Sequence, residues 1–183
     1  MKKYIQRVVI GHKKQDMYAE QFLRTNVLAV GWYEVGDITN MKKGELKKVC
    51  KDKLPKGENV KEATSVLSRF KDKIKIGDYV IAYKSPNTIV AVGEVVSDYF
   101  FNDKDKLGDP NGLHYAHKRR VNWKEKPRMF NRNFLNENLS STLSVPGTLI
   151  TLEYDIENLE KELEKIPEEE EKEKLVDLVL DKF

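Results

Sequence analysis

The chain predicts a mixed α/β, or α+β, fold in which a partly closed, barrel-like sheet is flanked by helices. Three observations carry that prediction. Lys75-Ile76-Gly77-Asp78 opens a β-branched run through Tyr83, and after Ser85-Pro86-Asn87 a second run extends from Thr88 through Val96; turn residues between two such segments read as consecutive strands. Val27-Leu28-Ala29-Val30-Gly31-Trp32 is a compact apolar run of the kind a buried central strand shows. The predicted order is β-α-β-α-α-β-β-β-β-α. Its helices do not alternate regularly with strands, which argues against a doubly wound sheet.

Taken in order, residues 4–10 are rich in β-branched side chains and form a first strand. Residues 17–25 place Met17, Tyr18, Phe22 and Leu23 near helical spacing. After the apolar strand, Gly36-Asp37-Ile38-Thr39-Asn40 is turn chemistry. Helices follow at about 43–50 and 60–70, the second with Val60, Ala63, Thr64, Leu67 and Phe70 on one face. The strand pair comes next and ends in Asp98-Tyr99-Phe100-Phe101. Neighbouring strand residues point to opposite faces, so these three aromatics cannot all enter one core. A polar loop over 102–112 leads to a strand over 114–123, with Tyr115, His117, Arg119, Val121 and Trp123 on one face. Residues 124–141 read as irregular, 147–154 as a last strand, and 159–163 and 175–183 as helical.

Net charge is +3, but it is unevenly divided. Residues 1–150 hold 28 Lys+Arg against 17 Asp+Glu, and residues 151–183 hold 5 against 13. The chain is therefore expected to divide into a basic domain, 1–154, that can meet a polyanion, and an acidic helical tail or linker, 155–183. No apolar run reaches the roughly 20 residues of a membrane span, and the N-terminus lacks a secretory signal. A cytoplasmic protein without a membrane partner is expected. Cys50 alone makes neither an internal disulfide nor a cysteine zinc site, and reads as a small residue on a helix.

Catalytic signatures are missing. The sequence holds no Gly-x-x-x-x-Gly-Lys-Ser/Thr loop and no dinucleotide fingerprint. His114 and His117, three apart on a strand, point to opposite faces, whereas metal ligands must converge. Asp78, Glu94 and Asp98 are the carboxylates a metal nuclease would use, but the first opens a turn and the others share one strand. No catalytic residue, metal or cofactor is assigned. What remains is a set of aromatics interleaved with Lys and Arg, the combination that stacks a base and holds its phosphates.

Val30-Gly31-Trp32, Lys75-x-Gly77-Asp78-x-Val80, Gly93-Glu94-Val95 and Arg120-Val121-Asn122-Trp123, in that order, resemble the PUA-like superfamily and within it the EVE and YTH branches. More narrowly, the chain resembles the N-terminal modified-DNA-recognition domain of archaeal McrB proteins. That resemblance implies a non-catalytic module of a type IV, McrBC-like restriction system, which flips a methylated base into an aromatic cage. It also implies an AAA+ motor hexamer that hydrolyses GTP and an McrC-type nuclease as partners in a longer protein. The alternative is an RNA-binding PUA-like domain that recognises a modified or structured RNA; a third reading is an enzyme using Asp78, Glu94 or His117. Trp32 matches the cage tryptophan, and Gly11-His12-Lys13 resembles the edge that hydrogen-bonds the base. The loop after Phe101 carries no tryptophan, so the second wall falls to Tyr, Phe or His. The candidate set is then Trp32, Tyr33, Tyr83, Tyr99, Phe101 and Tyr115 for the cage, with His12, Ser85 and His117 for the base edge. Lys13, Lys14, Lys84, Lys118, Arg119, Arg120 and Arg128 are the candidates for phosphate.

Overall fold

The two β-branched runs become β3 (Tyr79–Lys84) and β4 (Thr88–Val95), antiparallel from Tyr79↔Glu94 to Lys84↔Thr88, with a bulge between Ala82 and Tyr83. The computed structural model describes residues 3–10, 16–84, 87–104, 107 and 114–167. Strand β1 (Ile5–Val9) lies parallel to β3, and β8 (Leu149–Leu152) pairs antiparallel with its other side. On the far side of β4 lies β6 (His117–Trp123), followed by β2 (Val27–Val30). Short β5 (Phe100–Phe101) pairs with β6, and β7 (Phe130–Asn131) with β4.

The sheet curls at β6. Its residues 121–123 pair with β4, while 117–120 pair with β2 and, at 117 and 118, with β5 as well. Gly93 makes this close approach possible: a Cβ there would sit 2.6 Å from Val121 Cγ1 and 2.7 Å from the Asn122 carbonyl, well inside contact distance.

Strand alternation sends one face of the sheet to each of two cores. Helices α1 (Asp16–Arg24), α2 (Lys43–Lys53) and α3 (Val60–Asp72) contribute to the first, with Phe22, Leu46, Cys50, Leu67 and Phe70 packed against Leu28, Val80, Ala82 and Val121. Asn59 caps α3 by accepting the Glu62 amide. Arg69 of α3 donates to the Leu149 carbonyl and to Thr151, which engages the edge strand β8. The second core joins Ile5, Ile81, Tyr83, Val92 and Phe130 to α4 (Glu137–Leu143) and α5 (Ile156–Glu164).

The mixed class and the curled sheet with flanking helices match the sequence reading. Two stretches differ. The stretch read as irregular contains β7 and α4, the latter capped by Asn136 accepting the Leu139 amide. Helix α5, expected as the start of a linker, buries Leu159 and Leu163 in the second core, and its Glu160 accepts from the Tyr79 hydroxyl and from Lys124. Low local hydrophobicity concealed this docking, because two leucines at i and i+4 suffice to seat a short helix. The helix expected over 175–183 lies outside the described residues. Among the described residues no helix is long and apolar enough to cross a membrane.

Candidate nucleic-acid interface

Three chain segments meet at one end of β6. His117 faces Val30 of β2 on one side and Phe101 of β5 on the other. Strand parity puts Tyr99 and Phe101 on the His117 face and Phe100 on the opposite face, beneath the exposed Arg120, whose guanidinium lies 5.8 Å from the Phe100 ring. Two residues past β2, Trp32 adopts a left-handed backbone with φ 65° and ψ 41°, and a 3-10 turn over Tyr33–Val35 follows.

His117 is fully buried and joins these segments. Its Nε2 lies 3.1 Å from the Trp32 carbonyl and its Nδ1 lies 2.8 Å from the Tyr99 hydroxyl. A carbonyl only accepts, so Nε2 carries the proton and Nδ1 accepts from Tyr99. The Tyr99 oxygen accepts in turn from the Ile38 amide. Burial pushes the His117 imidazole down to about 4, against the opposing pull of the Trp32 carbonyl and Asp37, so the ring is neutral at physiological pH. Burial likewise pushes the Tyr99 hydroxyl up. Tyr99 stacks on His117 at 6.0 Å between centroids and Phe101 meets it edge-on at 5.2 Å. A single neutral ring thus links the Trp32 backbone to β5 and to the 37–39 turn.

The Trp32 ring is half-buried, and its Nε1 donates to Glu58 Oε2 at 3.3 Å. Tyr33 is 37% exposed and meets His114 edge-on at 4.9 Å. Tyr115, also half-buried, lies edge-on against Phe22 of the first core. The structure therefore gathers Trp32, Tyr33, Tyr99 and Phe101 around the His117 end of the sheet. Glu58, 26 residues away in sequence, carried no signal that it would reach Trp32.

Several candidates belong elsewhere. Tyr83 is 3% exposed, with the Arg7 guanidinium 5.1 Å above its ring, and is core rather than cage. His117 offers no free edge to a base, because both nitrogens are engaged inside the protein. Lys118 and Arg119 are not phosphate ligands: both are fully buried. Arg119 donates to the carbonyls of Phe70, Ser97 and Lys71 at 2.9, 3.0 and 2.6 Å. Burial lowers its guanidinium to about 10, still protonated. Lys84 and Arg128 lie toward the β3–β4 hairpin, at the opposite end of the sheet from Trp32, so they cannot ring the same nucleotide. Arg128 donates to the Lys124 carbonyl. Of the basic β6 triplet, only Arg120 is exposed. His12, Lys13, Lys14 and Ser85 lie outside the described residues.

Asp78, weighed as a nuclease carboxylate, closes the turn before β3: one oxygen accepts the Tyr4 amide and the other the Lys75 amide. Glu94 pairs with Lys3. Among the described residues no three His, Cys, Asp or Glu side chains gather in a manner that would hold a metal ion. Trp123 is core, with its indole N–H on the Phe22 carbonyl.

Fold and site together define an α+β domain whose curled sheet presents an aromatic corner organised by a neutral, buried histidine. The chain belongs to the family described as a domain of unknown function, DUF8426, whose model matches residues 7–152. Among solved structures it is similar to two described as crystal structures of the Mmi1 YTH domain. One is 13% identical with a TM-score of 0.45, covering 84% of this chain and 82% of that one. The other is 11% identical with a TM-score of 0.45, covering 99% and 100%. A third, described as the Mmi1 YTH domain, is 13% identical with a TM-score of 0.43 over 84% and 70%. No curated protein matches the sequence.

Proposed function

We propose that the chain is a non-catalytic module that recognises a modified base in nucleic acid, receiving the base, flipped from its strand, against Trp32. The observation that carries this reading is the left-handed backbone of Trp32. A bulky side chain there costs on the order of 1–3 kcal/mol, and such outliers cluster at ligand-clamping positions. Here the strained carbonyl is held by His117, and the ring keeps part of its surface in solvent beside Tyr33. Stacking returns roughly 1–3 kcal/mol per base while flipping costs a few kcal/mol, so phosphate contacts must supply much of the remainder and binding is strongly salt-dependent.

The sequence resemblance to archaeal McrB favours DNA as the ligand. In that form the module is the recognition arm of a modification-dependent restriction system, acting with a GTP-hydrolysing AAA+ motor and an McrC-type nuclease. The test compares modified and unmodified DNA and RNA oligonucleotides at fixed salt, with the wild-type chain and Trp32→Ala. The variant is expected to keep its circular dichroism spectrum and to lose preference for the modified base. A folded variant that discriminates normally refutes the assignment, and tighter binding to modified RNA moves the reading to an RNA-binding domain.

A further inference from the structure

We infer that the base received at Trp32 carries a positive charge, as a base methylated on a ring nitrogen does, and that Asp37 and Glu58 select for it; the inference rests on the base-reading function proposed above. The sequence around the site runs against the rest of the body. Residues 25–41 contain no Lys or Arg and two carboxylates, Glu34 and Asp37, within a region, 1–150, that carries 28 cations and 17 anions. Phosphate binding gives no reason to exclude cations from this stretch.

The structure places one carboxylate on the Trp32 indole and a second on the turn that follows the Tyr33–Val35 3-10 helix. Glu58 is held on the indole N–H of Trp32. Asp37 Oδ1 accepts from the Thr39 amide at 2.9 Å and from the Thr39 hydroxyl at 2.6 Å. Its Oδ2 has no hydrogen-bond partner among the described residues, and its charge is felt at both Tyr99 and His117. The hydrogen bond from Thr39 keeps the Asp37 carboxyl below its ordinary range, and hence ionised. The neighbouring cations are already engaged: Lys53 donates to the Val35 carbonyl, and Arg119 is buried on three carbonyls and faces Asp98, Asp78 and Asp72. His117, the titratable ring at the centre, is neutral. Aromatic faces attract cations through their quadrupole, and nearby carboxylates add to that attraction; a neutral base gains from the first only weakly and from the second hardly at all.

The decisive comparison uses two isomers that differ in charge but not in methyl count. Single-stranded DNA oligonucleotides carrying N1-methyladenine, which is cationic at neutral pH, N6-methyladenine, which is neutral, or adenine are titrated with the full chain at fixed salt. The cationic isomer is expected to bind about tenfold tighter than the neutral one. Asp37→Asn and Glu58→Gln each retain an oxygen that accepts the existing hydrogen bond but remove the charge, and each is expected to shrink that gap. Neutral-isomer binding equal to or tighter than cationic overturns the charge inference while leaving base reading intact. No preference for either isomer, or for any other modified base, over its unmodified parent overturns base reading itself. A gap unchanged in both variants overturns the roles of Asp37 and Glu58, and preferential capture of a trimethyllysine peptide would replace the nucleic-acid ligand with a protein one.

Discussion

Trp32 and Tyr83 both sit at the ends of apolar strands, yet they occupy opposite kinds of environment. Tyr83 shares its face with Ile81 and packs among the leucines of α4 and α5, under an Arg7 guanidinium that donates to the Leu143 and Gly147 carbonyls. Trp32 leaves its strand in a left-handed conformation, keeps part of its ring in solvent, and is anchored through its backbone by a neutral imidazole. At the first corner the aromatic ring is the packing material. At the second its backbone is fixed and its ring left available, the arrangement a stacking surface requires. Strand-end aromatics are told apart by what covers them, not by their type.

The largest expected effects test the core side of this contrast. Tyr83→Ala should destabilise the fold by about 3–5 kcal/mol, as large-to-small changes of buried aromatics do, whereas Trp32→Ala should cost under about 2 kcal/mol. Urea denaturation measures both, and equal losses would erase the distinction. Arg119→Met should also cost about 3–5 kcal/mol, because three carbonyls lose a charged donor inside the protein.

Next in size is a pH effect at the His117 corner. The folded imidazole titrates at about 4, below its ordinary 6.5, so the unfolded chain takes up the extra proton. Stability is then fully present above about pH 6.5 and is lost as pH falls toward 4, by up to about 3 kcal/mol. Asp37, Glu160 and Glu162, all held below the usual carboxylate range by hydrogen bonds, add a separate loss at lower pH. His117→Gln should remove the upper window and leave the lower one. A wild-type stability that is flat between pH 6.5 and 4.5 would show that the imidazole is not held neutral.

The smallest effect separates the basic residues of β6. Arg120→Gln should lower the slope of log affinity against log salt by roughly 0.7–0.9, one phosphate contact, while Lys118→Met should leave the slope unchanged. An unchanged slope for Arg120→Gln would remove β6 from the nucleic-acid footprint altogether.

Much of the fold was legible in the sequence because strands and helices announce themselves locally. The β-branched runs, the Gly77-Asp78 turn and the apolar spacing of α3 each specify an element from nearest neighbours, and the period of two ruled out one common face for Tyr99, Phe100 and Phe101. Two features of the aromatic corner were also within reach: Trp32 at a strand end, and the cation-free stretch around it. Burial of the polar residues was not. Lys118 and Arg119 look like solvent-facing cations in any local window; Arg119 is interior only because the carbonyls at the end of α3 and at Ser97 converge on it from about 50 and 20 residues away. The docking of α5, the capture of Trp32 by Glu58 and the role of His117 as a link rather than a ligand have the same origin. A side chain's rotamer and face follow from its own backbone, but its solvent exposure and its partners are set by whatever distant segments the fold brings over it, and those contacts exist only once the sheet has curled.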